Sequence, residues 1–312
     1  MATYLITGGC GFIGSHLADA LLADGHQVRI LDDLSSGIRE NSPASAELVV
    51  GDVVEAAAVG VAIEGVDGCF HLAAVASVQR AHNDWLGAHR VNLDGTIQVF
   101  NSARSAGAGG SIPVVYASSA AVYGDNPDVP LTETASTRPL SAYGADKLGC
   151  EMHAKVAGQV YGVPTTGLRF FNVFGPRQDP SSPYSGVISI FADRLLKGQK
   201  ITIHGDSQQV RDFVFVDDAV RHLVAAMDKA STKGGVYNVC GGLPSSVNNL
   251  AQVVSSICGA PLGMERAPDR LGDIRASLGD PAAAIAALGT RAEVELDDGL
   301  KRTVHHLTRA TA

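Results

Sequence analysis

The sequence predicts an α/β fold: a doubly wound parallel sheet, then a smaller mixed α/β domain. Three observations carry this. Short apolar runs of strand composition alternate with helically periodic segments from residue 4 to residue 170. The first of these runs is followed by a glycine turn and then by a helix pattern. The texture changes at Arg177, where Gln178-Asp179-Pro180-Ser181-Ser182-Pro183 makes a polar entry into the second domain. The expected division is 1–173, with 213–239 returning to it, and 174–312.

Tyr4-Leu5-Ile6-Thr7 reads as the first strand and the apolar periodicity of Ser15–Leu22 as the helix after it. Between them lies Gly8-Gly9-Cys10-Gly11-Phe12-Ile13-Gly14. A backbone that curls tightly against a phosphate has no room for side chains, and the helix that follows offers unpaired N–H groups to the anion. The second strand, Gln27–Leu31, ends in Asp32-Asp33, eighteen residues after Gly14. A carboxylate at that place accepts hydrogen bonds from an adenosine ribose and repels a 2′-phosphate, so turn and acid together predict NAD. Alone, Asp32 would be an ordinary strand-ending acid. Asp33-Leu34-Ser35-Ser36-Gly37 reads as a loop able to wrap the adenosine.

Leu48-Val49-Val50 and Cys69-Phe70-His71-Leu72 are further strands, the second followed by Ala73-Ala74, small enough to leave room at the sheet edge. His71 is expected to be a satisfied core histidine. Trp85–Ala106 has helical composition, with Val91, Gly95 and Val99 on one stripe and Asn92 within it. Pro113–Tyr116 leads into Ser118-Ser119, whose hydroxyls either face the crevice or satisfy loop backbone. A helix starting near Ser141, an N-cap residue type, carries Tyr143 and Lys147 on one face. An ordinary tyrosine, with a pKa of about 10, is a poor base at neutral pH. A neighbouring ammonium favours the phenolate, which makes the pair a candidate for acid–base work. Taken alone, Tyr-x-x-x-Lys also describes many solvated helix faces.

Pro164–Phe170 is a sixth strand, ending in Phe171-Asn172-Val173-Phe174-Gly175-Pro176. Arg211–Asp218 leads into a helix whose apolar face is Val216, Ala219, Val220, Leu223 and Met227. Arg211 is an anion clamp or a surface arginine paired with Asp206. Val236–Val239 is another strand, followed by a helix through Val247, Leu250, Val254 and Ile257. Helical tails run over 282–288 and 300–307.

Composition excludes several classes. With 46% hydrophobic and 18% charged residues, the 312-residue chain is globular. A net charge of −8 without a Lys/Arg cluster argues against nucleic acid and membrane surfaces. No apolar run approaches the roughly twenty residues that span a bilayer, and no basic leader precedes the first strand. The five cysteines are scattered without C-x-x-C spacing, so no metal site is expected, and reduced thiols point to the cytoplasm.

Taken together, Thr7–Gly14, Phe70-His71-Leu72-Ala73-Ala74, Asn92–Thr96, Ser118-Ser119 through Tyr123-Gly124, Tyr143 with Lys147, Arg169–Asn172 and Arg211–Val214 resemble the extended short-chain dehydrogenase/reductases, specifically nucleotide-sugar 4-epimerases of the UDP-glucose/UDP-galactose type. The resemblance spans nearly the whole chain. It implies that Gly8, Gly11, Phe12 and Ile13 hold the pyrophosphate of NAD, Asp32 the ribose, and Asp52 and Val53 the adenine. Asp33, Ser36, Gly37, Leu72, Ala73, Ala74, Asn92 and Phe170 complete the cofactor site, with Lys147 on the nicotinamide ribose. It implies that Ser119 and Tyr143 contact the sugar 4-hydroxyl, one of them as base, while Asn172, Val187, His204, Arg211, Arg270, Asp273 and Ser277 line the nucleotide-sugar site. A homodimer through helices near 90–106 and 143–160 is also implied.

Two departures from the resemblance narrow the chemistry. Dehydratases of this type place an Asp-Glu pair, and decarboxylases a Glu, where this chain has Ala120 and Ala121, which disfavours water elimination. Ser277 stands where epimerases restricted to plain hexoses often carry Tyr, which leaves room for a 2-N-acetyl group. The expected function is interconversion of UDP-glucose and UDP-galactose, and of UDP-GlcNAc and UDP-GalNAc, through a transient 4-keto sugar. The alternatives are another nucleotide-sugar enzyme, such as a UDP-glucuronate 4-epimerase, and a catalytically silent NAD-binding regulator.

Overall fold

The structure is a computed structural model that describes residues 1–76, 78–180, 186–268 and 274–310. The chain opens with β1 (Thr3–Thr7), α1 (Phe12–Ala23), β2 (Gln27–Asp32), β3 (Glu47–Val50), α2 (Ala56–Ile63) and β4 (Gly68–His71). It continues through α3 (Val78–Asn83), α4 (Trp85–His89) and α5 (Gly95–Ala103) to β5 (Val114–Ser119), α6 (Ala142–Tyr161) and β6 (Thr165–Phe170). Beyond lie β7 (Asn172–Phe174), α7 (Val187–Leu196), β8 (Ile201–His204), β9 (Val210–Phe215), α8 (Val216–Met227) and β10 (Gly235–Val239). The remainder is β11 (Pro244–Ser246), α9 (Val247–Cys258), β12 (Met264–Ala267), β13 (Ala276–Ser277), α10 (Ala282–Leu288) and α11 (Leu296–Ala310).

Among the described residues, seven strands form one parallel sheet in the order β10-β6-β5-β4-β1-β2-β3. The order reverses between β1 and β4, which places a crevice at their carboxyl ends, where doubly wound sheets bind ligands. Both faces are covered, so the strands are apolar without alternation. Leu5 and Ile6, adjacent and fully buried, serve opposite faces. Ile6 meets Leu17 and Leu21 of α1 and Leu223 of α8, while Leu5 meets the layer of α2, α5 and α6 through Val59, Val99 and Ala154.

A second body gathers beyond β6. There β7 and β13 run parallel to β9, β11 antiparallel to it, and β8 pairs with β12. Its core joins α7, α9 and α11 through Ile188, Phe191, Leu250, Val254, Leu300 and Val304. No helix of the described residues is long and apolar enough to cross a membrane.

Three expectations change. The helix expected over 85–106 is α4 and α5 joined by a π-helical segment, Arg90–Asp94, centred on the buried Asn92. Residues 210–215, expected to lead into a helix, are the strand β9, whose alternating burial of Asp212 and Val214 has a period of two. The first helix starts at Phe12 rather than Ser15, because the glycine turn is short enough for its last residues to be helical.

Candidate active site

The glycine turn is built for close approach. Gly8 has φ +72, and a Cβ there would lie 2.8 Å from Ala73 N, so the turn after β1 rests directly on the loop after β4. A Cβ on Gly14 would fall 2.3 Å from Gly8 O. Gly11 caps α1 without any side-chain hydrogen bond, which leaves the first N–H groups of the helix available to an anion. Asp32 ends β2 only 6% exposed, and its carboxylate accepts from Cys10 N at 2.9 Å and Leu34 N at 2.9 Å. Burial pushes its pKa up, and it raises that of the adjoining Cys10 thiol to about 11 as well. Gly37 closes the cradle, for its Cβ would touch Asp32 Oδ1 at 2.6 Å. These features fit a dinucleotide.

The other residues expected at the cofactor gather at the carboxyl ends of the same strands: Asp52 and Val53 after β3, Leu72, Ala73 and Ala74 after β4, and Phe170 at the end of β6. Asn92 acts on this crevice at one remove. Its amide accepts from Val75 N at 2.8 Å and donates to Val75 O at 3.3 Å, which fixes the Ala73–Val75 loop. His71 is buried between Thr7 Oγ1 at 2.7 Å and Thr96 Oγ1 at 2.9 Å. Thr96 gives its proton to Asn92 O, so it accepts from His71 Nε2–H, and Thr7 donates to Nδ1. Burial lowers the His71 pKa to about 3, which makes it the neutral core histidine that was expected.

The two serines after β5 divide their work. Ser119 accepts from Ala121 N at 3.2 Å, capping the 3-10 turn Ala120–Tyr123 and keeping its own proton available to a ligand. Ser118 is buried and turned away, donating to Glu151 Oε1 at 2.5 Å. Opposite them, Ser141 caps α6 by accepting from Gly144 N at 3.1 Å. Gly144 lets the first turn of α6 press on the 3-10 turn, since its Cβ would meet Ala121 O at 2.6 Å. Lys147 is 2% exposed; its Nζ donates to Ala117 O at 2.9 Å and lies 5.8 Å from the centroid of the Tyr143 ring. The end of β5 and the start of α6 thus bring Ser119, Tyr143 and Lys147 to one edge of the crevice.

The residues expected on the nucleotide-sugar side lie on the second body. Asn172 starts β7 and donates to Asp212 O at 3.0 Å; Arg211 and Ser277 are register neighbours on β9 and β13. Val187 opens α7, and His204 ends β8, its Nδ1 3.0 Å from Pro268 O. Arg211 Nη1 donates to Val210 O at 2.9 Å, while Asp206 lies 3.8 Å from Arg275. Arg270 and Asp273 fall outside the described residues. Among the described residues no group of three or more candidate ligands could hold a metal ion.

Among the buried charges that sequence reasoning did not foresee, three bear on this site. Asp212 accepts from Gly241 N, Gly242 N and Gly279 N at 2.7, 3.0 and 3.2 Å, tying together the loops that flank Arg211 and Ser277. Burial raises its pKa to about 6. Glu151 and Arg169 form a bidentate pair behind Ser118. The available signals were a charge inside the otherwise apolar strand β6 and an acid one turn beyond Lys147.

A buried dinucleotide cradle at a sheet reversal, with a Ser–Tyr–Lys group at its edge, defines a cofactor-dependent enzyme of the short-chain dehydrogenase/reductase type. Residues 4–240 match the NAD dependent epimerase/dehydratase family, and the chain belongs to it. It is 40% identical over 307 residues to a UDP-glucose 4-epimerase of Mycolicibacterium smegmatis, covering 96% of each chain. Two solved structures superpose closely. A UDP-glucose 4-epimerase of Thermotoga maritima with UDP-glucose gives a TM-score of 0.95 at 34% identity, covering 99% of this chain and 100% of that one. A UDP-N-acetylglucosamine 4-epimerase of Methanobrevibacter ruminantium, in complex with UDP-N-acetylmuramic acid, gives 0.92 at 34% identity, covering 99% of each. The protein is an NAD-dependent enzyme of the epimerase type.

Proposed function

We propose that the chain interconverts UDP-glucose and UDP-galactose, and also UDP-GlcNAc and UDP-GalNAc, at C4. The observation that carries this is the meeting of Ser119, Tyr143 and Lys147 beside the glycine cradle, with Ala120 and Ala121 where water elimination needs acids. Gly8, Gly11, Phe12, Ile13, Asp32 and the loops after β3 and β4 would hold NAD, which would supply reversible hydride acceptance at C4 with no net redox change. Tyr143 or Ser119 takes the 4-hydroxyl proton and gives it back. Lys147, its Nζ 5.8 Å from the Tyr143 ring centroid, would hold the nicotinamide ribose. Asn172, Val187, Arg211, Arg270 and Asp273 grip the nucleotide diphosphate while the 4-keto sugar turns over, with His204 also on the substrate side and residues 174–312, less 213–239, serving as the substrate domain.

The similarity to the Methanobrevibacter enzyme supports the N-acetyl substrates, as does the small Ser277. Exposed Met152, Val156 and Val160 make an apolar stripe on α6, which supports a homodimer through the helices near 90–106 and 143–160. Five free cysteines, four of them buried, suit a reducing cytoplasm. The test is NMR of UDP-galactose and UDP-GalNAc incubated separately with the protein, without added NAD. Both should convert to their 4-epimers, and Ser277→Tyr should lose the N-acetyl substrates selectively. Equal loss on both sugars refutes the gate, and no conversion of either refutes the reading.

A further inference from the structure

Behind Ser119 the protein buries an ion pair that its chemistry does not use. Arg169 Nε donates to Glu151 Oε1 at 2.8 Å and Nη2 to Oε2 at 2.7 Å, with the two side chains 7% and 5% exposed. Arg169 Nη1 donates to Tyr123 OH at 2.8 Å and Glu133 O at 3.1 Å, and Tyr123 OH donates to Asn238 Oδ1 at 2.6 Å. Ser118, Arg169 and Asn238 occupy the same register on β5, β6 and β10, so three adjacent strands feed one network.

The register matters because α6 meets β5 at two successive residues. Lys147 bonds to Ala117 O, and Glu151, one turn later on the same helix face, accepts from Ser118 Oγ at 2.5 Å. Tyr143, one turn before Lys147, belongs to the first turn of α6, which at Gly144 presses on Ala121 of the turn that Ser119 caps. A neutral contact at Glu151 would let the helix slide or rotate. A bidentate pair locked to a neighbouring strand permits one arrangement.

Stability does not explain the pair. Exchanging a buried ion pair for apolar side chains of similar volume is often neutral or stabilising. We infer that Glu151–Arg169, coupled through Ser118, is a positioning pair that sets Tyr143 and Lys147 on α6 against Ser119 at the end of β5. This rests on the catalytic roles proposed above for those three residues.

The test compares Glu151→Leu/Arg169→Met and Ser118→Ala with the parent full-length protein, using UDP-galactose as substrate. The double variant removes both charges and so leaves neither unpaired. It should fold, retain NAD and keep KM within about twofold, while kcat falls about tenfold or more, as misplaced reacting groups predict. Ser118→Ala, which leaves the pair intact, should lower kcat by a smaller factor with KM unchanged. If the double variant does not fold, Ser118→Ala decides alone. Parental kcat in a folded double variant overturns the inference, as does a change confined to KM. Tyr143→Phe in the same assay separates the two readings: an unchanged rate there overturns the catalytic assignment itself, whereas a collapsed rate there beside parental positioning variants overturns only the pair.

Discussion

Gly14 shows how one missing methyl group decides cofactor retention. Its Cβ would stand 2.3 Å from Gly8 O and 2.8 Å from Gly9 Cα, both backbone atoms that cannot turn aside. Any accommodation must therefore open the turn proposed to hold the pyrophosphate, while the sheet beneath, with Leu5 and Ile6 fully buried, is untouched. Gly14→Ala should fold with the parental circular dichroism spectrum but purify with little or no NAD, read as nucleotide released on denaturation. Parental NAD content would show that the turn yields. Asp212 makes the complementary case. Its side chain carries no catalytic proton in the proposed scheme, yet it spans two loops through three glycine N–H groups. No sequence pattern announces it, because its partners are backbone atoms 29 to 67 residues away.

At the scale of the element, α6 carries two of the three proposed catalytic residues. Ser141 caps it, Gly144 admits the Ala120–Tyr123 turn, and Tyr143 and Lys147 ride its first two turns. Ser141→Ala removes the bond to Gly144 N and should cost about 1 kcal/mol of stability. The first turn that frays is the one carrying Tyr143, so kcat should fall by more than the modest loss of melting temperature suggests. A variant destabilised but fully active would uncouple the cap from catalysis. This helix was legible in the sequence because its signals are local: an N-cap residue and a four-residue spacing, to which the structure adds an αL C-cap at Gly162. So was the glycine turn with Asp32. The π-helical segment around Asn92 was not, since Asn92 O there accepts from Thr96 Oγ1 and from the distant Cys150 Sγ, a tertiary partner that local sequence does not reveal. Nor were β7, β8, β11 and β13, strands of two to four residues that exist only through their pairing partners.

For the whole molecule, buried titratable groups set the response to acid. His71 and His222 have pKa values lowered by burial to about 3 and about 4, against an ordinary 6.5. In each case the unfolded chain binds the proton first, so the stabilisation is complete above pH 6.5 and drains as the pH falls toward those values. Asp212 acts the other way. Its folded pKa of about 6 exceeds the ordinary 3.8, so between those values the folded state holds the extra proton and stability falls as pH rises. Between pH 6 and 4 the two histidines outweigh the one carboxylate by a net proton, a slope of about 1.4 kcal/mol per pH unit from these groups. Urea unfolding of the NAD-saturated protein should therefore show lower stability at pH 5 than at pH 7. His71→Gln separates the contributions. It breaks the Thr7–His71–Thr96 chain and should be less stable at pH 7, yet it should lose less on going to pH 5, because one acid-sensitive group is gone. An unchanged pH slope in that variant would mean that His71 takes up its proton as readily in the folded protein as in the unfolded chain, and the acid response would then have to come from the other titrating groups.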